Sequence, residues 1–114
     1  MDTIIYNNFE WDREKAKKNK IKHGISFKTA TAVFDDPNRL DLPDDEHSFD
    51  ESRRKVIGMV DDILFVIYTE RSNRIRLISA REATEDERRD YYDYGRLRIL
   101  HEESWRTVDG RGES

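Results

Sequence analysis

The chain contains no cysteine. That absence excludes a disulfide framework, a thiolate metal site and a cysteine nucleophile together. Histidine is scarce, with three residues in 114, so few imidazoles are on hand to hold a metal or move protons. No segment approaches the roughly 20 apolar residues needed to cross a bilayer. The N-terminus also lacks the continuous apolar stretch of a secretory signal. These readings lead us to expect a cytoplasmic protein with no membrane partner. A Gly-rich phosphate loop, a Ser/His/Asp order and a convincing metal-ligand cluster are all missing too, so neither cofactor nor metal is expected.

What the chain does have is charge. Charged residues make up 40% and hydrophobic residues 35%, a balance near the edge of disorder. Aromatic residues at 11% and a clear apolar periodicity in the middle of the chain argue for a folded protein. The expected organisation is one domain over residues 1–106, followed by a loose tail over 107–114. The net charge of -4 does not favour nucleic acid, but the charge is segregated. Between Arg13 and Lys28 seven basic residues face one acid, Glu14, whereas between Asp35 and Glu51 eight acids face Arg39 alone. The plainer reading is two solvated faces.

The elements read in order as follows. Thr3–Tyr6 is a short strand that leads through Asn7 and Asn8 into the Phe9–Asp12 stretch. Asp12 caps a basic helix that ends at Gly24, and Ser26 caps a second helix that Asp36-Pro37 stops. Arg39–Leu42 is a further strand, followed by an acidic loop. Arg54–Val60, Ile63–Glu70 and Arg74–Ala80 then form an antiparallel meander whose middle strand, apolar on both faces, is central. Thr84 and Glu87 have the spacing of a capping box for a third helix, which Gly95 breaks or bends. Leu97 and Leu100 continue as a short helix with Trp105.

Taken together, the Phe9-Glu10-Trp11-Asp12 lead-in, Asn19, Lys22-His23-Gly24-Ile25-Ser26-Phe27, Arg53-Arg54 with Ile57-Gly58, Tyr68-Thr69-Glu70-Arg71 and Arg76-Leu77-Ile78-Ser79-Ala80-Arg81 resemble the BrnT toxin family. The likeness runs from about Phe9 to about Tyr92. It implies an α+β, RelE-like fold: a twisted antiparallel sheet with two N-terminal helices packed on one side and a C-terminal helix. It also implies a ribonuclease that arrests translation as part of a type II toxin-antitoxin system, and a cognate BrnA-like antitoxin with its own DNA-binding segment. Two alternatives come from other classes. One is a catalytically inactive module that keeps the fold and binds protein or nucleic acid; the other is a DNA-binding regulator, for which no helix-turn-helix signature is found.

RNA cleavage without a metal needs a base for the ribose 2′-hydroxyl, cations for the phosphorane-like transition state and an acid for the leaving oxygen. Arginine suits the second role, because its planar fork donates to two phosphate oxygens and keeps its charge. The catalytic candidates are therefore Arg53, Arg54, Arg76 and Arg81, with His23 for proton transfer. Cross-strand ion pairs are the plainer role for each arginine, and a helix C-terminus equally explains Lys22-His23-Gly24. Arg76 and Arg81 have opposite parity, so they share a face only if the strand ends or bulges near Ser79. Lys17, Lys18, Lys22 and Arg71 are candidate phosphate contacts. Tyr91 is either a stacking platform for a base or a packing residue.

Overall fold

The computed structural model describes residues 2–44 and 52–95. The acidic loop with His47, the expected short helix at Leu97 and Leu100, His101, Trp105 and the tail 107–114 lie outside the described residues.

The chain opens with a hairpin of β1 (Thr3–Tyr6) and β2 (Phe9–Asp12), turned at Asn7 with φ 55°. Asparagine is among the few side chains that enter this left-handed region at small cost. Asp12 ends β2 and caps α1 (Arg13–His23), its carboxylate accepting the Lys15 N–H at 2.9 Å. Gly24, at φ 75°, closes the helix by donating its N–H to the Lys20 carbonyl. Ser26 then caps α2 (Phe27–Ala30), which tightens into a 3₁₀ turn over Thr31–Asp35.

Four strands follow: β3 (Leu40–Pro43), β4 (Arg53–Val60), β5 (Asp62–Arg71) and β6 (Arg74–Glu82). A helix over residues 85–95, here α3, comes after them. The capping box forms, with the Thr84 N–H on the Glu87 carboxylate and the Glu87 N–H on the Thr84 hydroxyl. Gly95 is still helical.

The fold is α+β, with a six-stranded sheet in the order β1-β2-β6-β5-β4-β3. One expectation needs correction, since the sheet is not wholly antiparallel. The Phe9–Asp12 stretch is a strand that docks parallel to β6, pairing Phe9 with Ile75 and Glu10 with Arg76. The central position of β5 is as expected.

Each face of the sheet carries its own core. On one face Trp11, Val56, Leu64, Val66, Tyr68, Leu77 and Ala80 pack with Phe27, Ala30 and Val33 from α2 and the 3₁₀ turn. On the other, Leu40, Ile57, Ile63 and Phe65 pack with Ala83 and with Tyr91 of α3. The two N-terminal helices thus lie on one side of the sheet and α3 on the other.

Helix α1 offers the core little apolar surface, and polar bonds fasten it instead. Asn19, 8% exposed, donates its amide to the carbonyls of Ala80 at 2.8 Å and Ile25 at 3.1 Å, and accepts the Ala80 N–H at 3.1 Å. One side chain thereby serves as the next strand for β6 where β2 no longer runs beside it.

Candidate active site

The strand registers arrange the α3 side of the sheet into rows, because directly paired residues point to the same face. Nearest α3 runs Leu40, Ile57, Phe65, Arg81. The next row is Leu42, Lys55, Ile67, Ser79. Then comes Arg53, Thr69, Arg76, Glu10, crossing from β4 through β5 and β6 to β2. Arg71 stands opposite Arg74 at the hairpin end. The face changes from apolar under α3 to basic toward the β5-β6 turn.

A bulge makes this alignment possible. Ile67 pairs with Ser79 but Tyr68 pairs with Leu77, which leaves Ile78 as an extra residue in β6. Leu77 and Ala80 consequently both reach the helix-side core, and Arg76 and Arg81 both point to the other face. The condition set by their parity is met.

Both arginines have carboxylate partners. Arg76 donates to Glu10 at 2.8 Å, and the two side chains are only 18% and 13% exposed. Arg81 forks onto both Glu87 oxygens at 2.8 and 3.0 Å, with its guanidinium 4.0 Å from the centre of the Phe65 ring. Burial disfavours the charged form of Glu87, but the bonds from Arg81 and Thr84 outweigh it and hold the carboxyl below its ordinary range. Arg81 therefore anchors α3 to the sheet as well as facing the basic rows. Arg53 is half-buried beside Thr69, whose hydroxyl donates to the Ser52 carbonyl at 3.1 Å.

The remaining candidates are dispersed. Arg54 points to the helix side, where its Nε donates to Asp41 at 3.2 Å and the Tyr68 hydroxyl donates to the same carboxylate at 2.8 Å. Burial and that carboxylate push the Tyr68 hydroxyl up to about 12. Arg54 is tied into this cluster across the sheet from Arg53. His23 is half-buried at the end of α1, and Lys17, Lys18 and Lys22 are exposed on the same helix. All four belong to the helix on the opposite side from the arginine rows.

Tyr91 needs correction as a stacking platform. Its ring is in the α3 core at 6% exposure and its hydroxyl donates to Asp36. Tyr92 beside it is 55% exposed. Asp36 also accepts the N–H groups of Met59 and Asn38. Burial opposes its charge, yet these bonds keep the carboxyl below its ordinary range. It is a joint between the 3₁₀ turn, β4 and α3. The cavity beside it, about 720 Å³, has Asp35 and Asp36 in its wall, the wrong sign for a phosphate chain.

Two site features escaped the sequence reading. Glu10 was hidden in a four-residue strand without β-branched residues, and Lys55 was passed over beside its arginine neighbours. The parallel register with β6 brings Glu10 to Arg76, and nothing local to Phe9–Asp12 signals a partner so distant in sequence.

The geometry defines a small α+β protein whose sheet carries a cation-lined face. The family model for the ribonuclease toxin BrnT of type II toxin-antitoxin systems matches residues 11–87, and the chain belongs to this family. Among solved structures it is similar to the ribonuclease toxin BrnT of Brucella abortus, at 24% identity and a TM-score of 0.53 over 66% of this chain and 94% of that one. At that identity the likeness concerns the fold. No curated protein matches the chain. Among the described residues no helix is long and apolar enough to cross a membrane.

Proposed function

We propose that the chain is a RelE-like RNA endonuclease toxin that arrests translation, cleaves without a metal and is neutralised by a cognate, BrnA-like antitoxin. The observation that carries this reading is the row Arg53–Thr69–Arg76–Glu10 with Lys55 and Arg81 on the same face, added to membership of a ribonuclease family. Fixed cations on rigid strands suit the charge that builds on a phosphate as the 2′-oxygen attacks it. Glu10 orients Arg76 in this scheme. His23, the sequence candidate for proton transfer, ends α1 on the opposite side of the sheet, out of hydrogen-bond reach of a phosphate held by the row, so the row acts without it. Arg71 extends the phosphate track, and Lys18 and Lys22 are outlying contacts.

The deciding experiment incubates the purified chain with an RNA oligonucleotide in EDTA. The expected products carry a 2′,3′-cyclic phosphate and a 5′-hydroxyl, and a 2′-deoxy sugar at the cut resists. Arg76→Ala should lose about a hundredfold or more in rate, the order seen when one transition-state donor is removed. Activity that needs magnesium refutes the mechanism. The pH–rate profile of His23→Ala should be unchanged, and a shifted profile brings that residue back into the mechanism.

A second reading, a catalytically silent binding module, is favoured by one observation: Arg76 and Arg81 are already neutralised by Glu10 and Glu87. In that case the chain binds RNA or the partner without cutting, and expressing it alone leaves growth untouched.

A further inference from the structure

On the face away from the arginine rows, α1, α2 and the first hairpin enclose a groove of about 490 Å³. Its floor is apolar, formed by Ile4, Trp11 and Phe27, and its rim is basic, formed by Lys17, Lys20 and Lys28. Ile21 stands on the lip and is 85% exposed. It is the one large aliphatic side chain on an otherwise polar helix, and it borders the apolar groove.

Of the basic residues around the groove, Arg13 is paired with Asp2 at 3.3 Å, and the three lysines are left largely uncompensated among the described residues. Lys17 reaches Glu14 only at 3.8 Å between two exposed side chains, a contact worth little. Lys28 lies 5.3 Å over the Tyr6 ring. Neither Lys20 nor Lys28 has a carboxylate partner among the described residues. The strand bordering the groove, β1, is an edge strand paired, among the described residues, only to β2.

These features select the occupant. RNA would use the lysines but gain nothing from the floor, because Trp11 is 6% and Phe27 1% exposed, which leaves no aromatic face for a base to stack on. A peptide with an aliphatic stripe flanked by Asp and Glu uses what is accessible: the stripe covers the exposed Ile21 and the half-buried Ile4 and Ala16, and the carboxylates meet the lysines. We propose that this groove docks an acidic amphipathic segment of a partner protein. Identifying that partner as the restraining antitoxin rests on the toxin reading above, whereas the chemistry of the groove does not.

The test is a titration of the ¹⁵N-labelled full chain, followed by amide shifts, with three probes. These are a synthetic Leu/Glu amphipathic peptide, the same peptide with Lys for Glu, and a single-stranded RNA oligonucleotide. The acidic peptide should shift the amides of Ile4, Lys20, Ile21 and Phe27, and the basic peptide should not. Lys20→Glu combined with Ile21→Ser should weaken the acidic peptide about tenfold, since an exposed ion pair and a covered aliphatic side chain each contribute a fraction of that. RNA cleavage by the double variant should be unchanged.

Amides that respond to RNA rather than peptide assign the groove to nucleic acid and overturn the proposal. Shifts that grow with protein concentration alone assign it to a second copy and do the same. Because peptide binding is read without cleavage, a chain that never cuts RNA defeats the toxin reading and leaves this result standing.

Discussion

Asn19 shows how much one polar side chain can hold. Its amide closes three bonds, two of them to the backbone of Ala80, and replacing it with alanine leaves buried N–H and C=O groups without partners. The expected cost is about 2–3 kcal/mol, read as a lower Tm. An unchanged Tm shows that α1 is held by other means. A second expectation concerns pH. The folded-state carboxyls of Glu87 and Asp36 lie below their ordinary values of 4.5 and 3.8, so each contributes stability that is complete above its unfolded value. That contribution is lost as pH falls through the lowered folded value. Arg81→Lys, which cannot fork onto both oxygens, should raise the Glu87 midpoint in a carbon-detected NMR titration and make unfolding less acid-dependent. A midpoint that stays put removes Arg81 as its cause.

At the scale of elements, the parts legible in sequence were those with local causes. Asp12, Gly24, Ser26 and the Thr84–Glu87 pair announced helix ends because capping is a short-range bond. The apolar run of β5 announced a central strand. The strand β2 was not legible, since its parallel seat beside β6 depends on residues 75 and 76. The parity of Arg76 and Arg81 posed the right question, and only the register, with Ile78 as the added residue, answered it. One further close approach is readable only in three dimensions. A Cβ on Gly58 would stand 2.9 Å from the Val33 Cβ and 3.1 Å from its carbonyl oxygen, and backbone cannot step aside cheaply. Gly58→Ala should therefore cost about 1–3 kcal/mol by wedging the 3₁₀ turn off β4. Gly95→Ala meets nothing within 4 Å and should stabilise α3 by up to about 1 kcal/mol. Thermal melts of the two chains separate these outcomes.

For the whole molecule, net charge is a poor guide and its distribution a good one. An acidic chain presents Arg53, Lys55, Arg76 and Arg81 on one face, and Lys17, Lys20 and Lys28 around a groove on the other. If the arginine face tracks an RNA backbone, removing one phosphate contact should flatten the plot of log affinity against log salt by about 0.7, the increment for a single strand. Arg53→Ala is expected to do so and Lys20→Glu is not, with binding measured by fluorescence anisotropy over a salt series. Equal slopes in all three proteins sever the arginine face from RNA. The sequence reading named Lys17, Lys18 and Lys22 of the basic helix as phosphate contacts beside Arg71 of the meander, because composition shows where basic residues cluster along the chain and not which side of the sheet carries them.

The parallel joint between β2 and β6 also bears on how the chain is made. Among the described residues the β1-β2 hairpin pairs with the rest of the sheet only along β6, and α1 and α2 also contact β6, which the chain supplies at residues 74–82. The β1-β2 hairpin and α1 thus precede in the chain a strand that they need in order to be seated. Glu10 meets Arg76 only once they are seated, so the arginine row cannot be assembled on a nascent chain that is still short of β6.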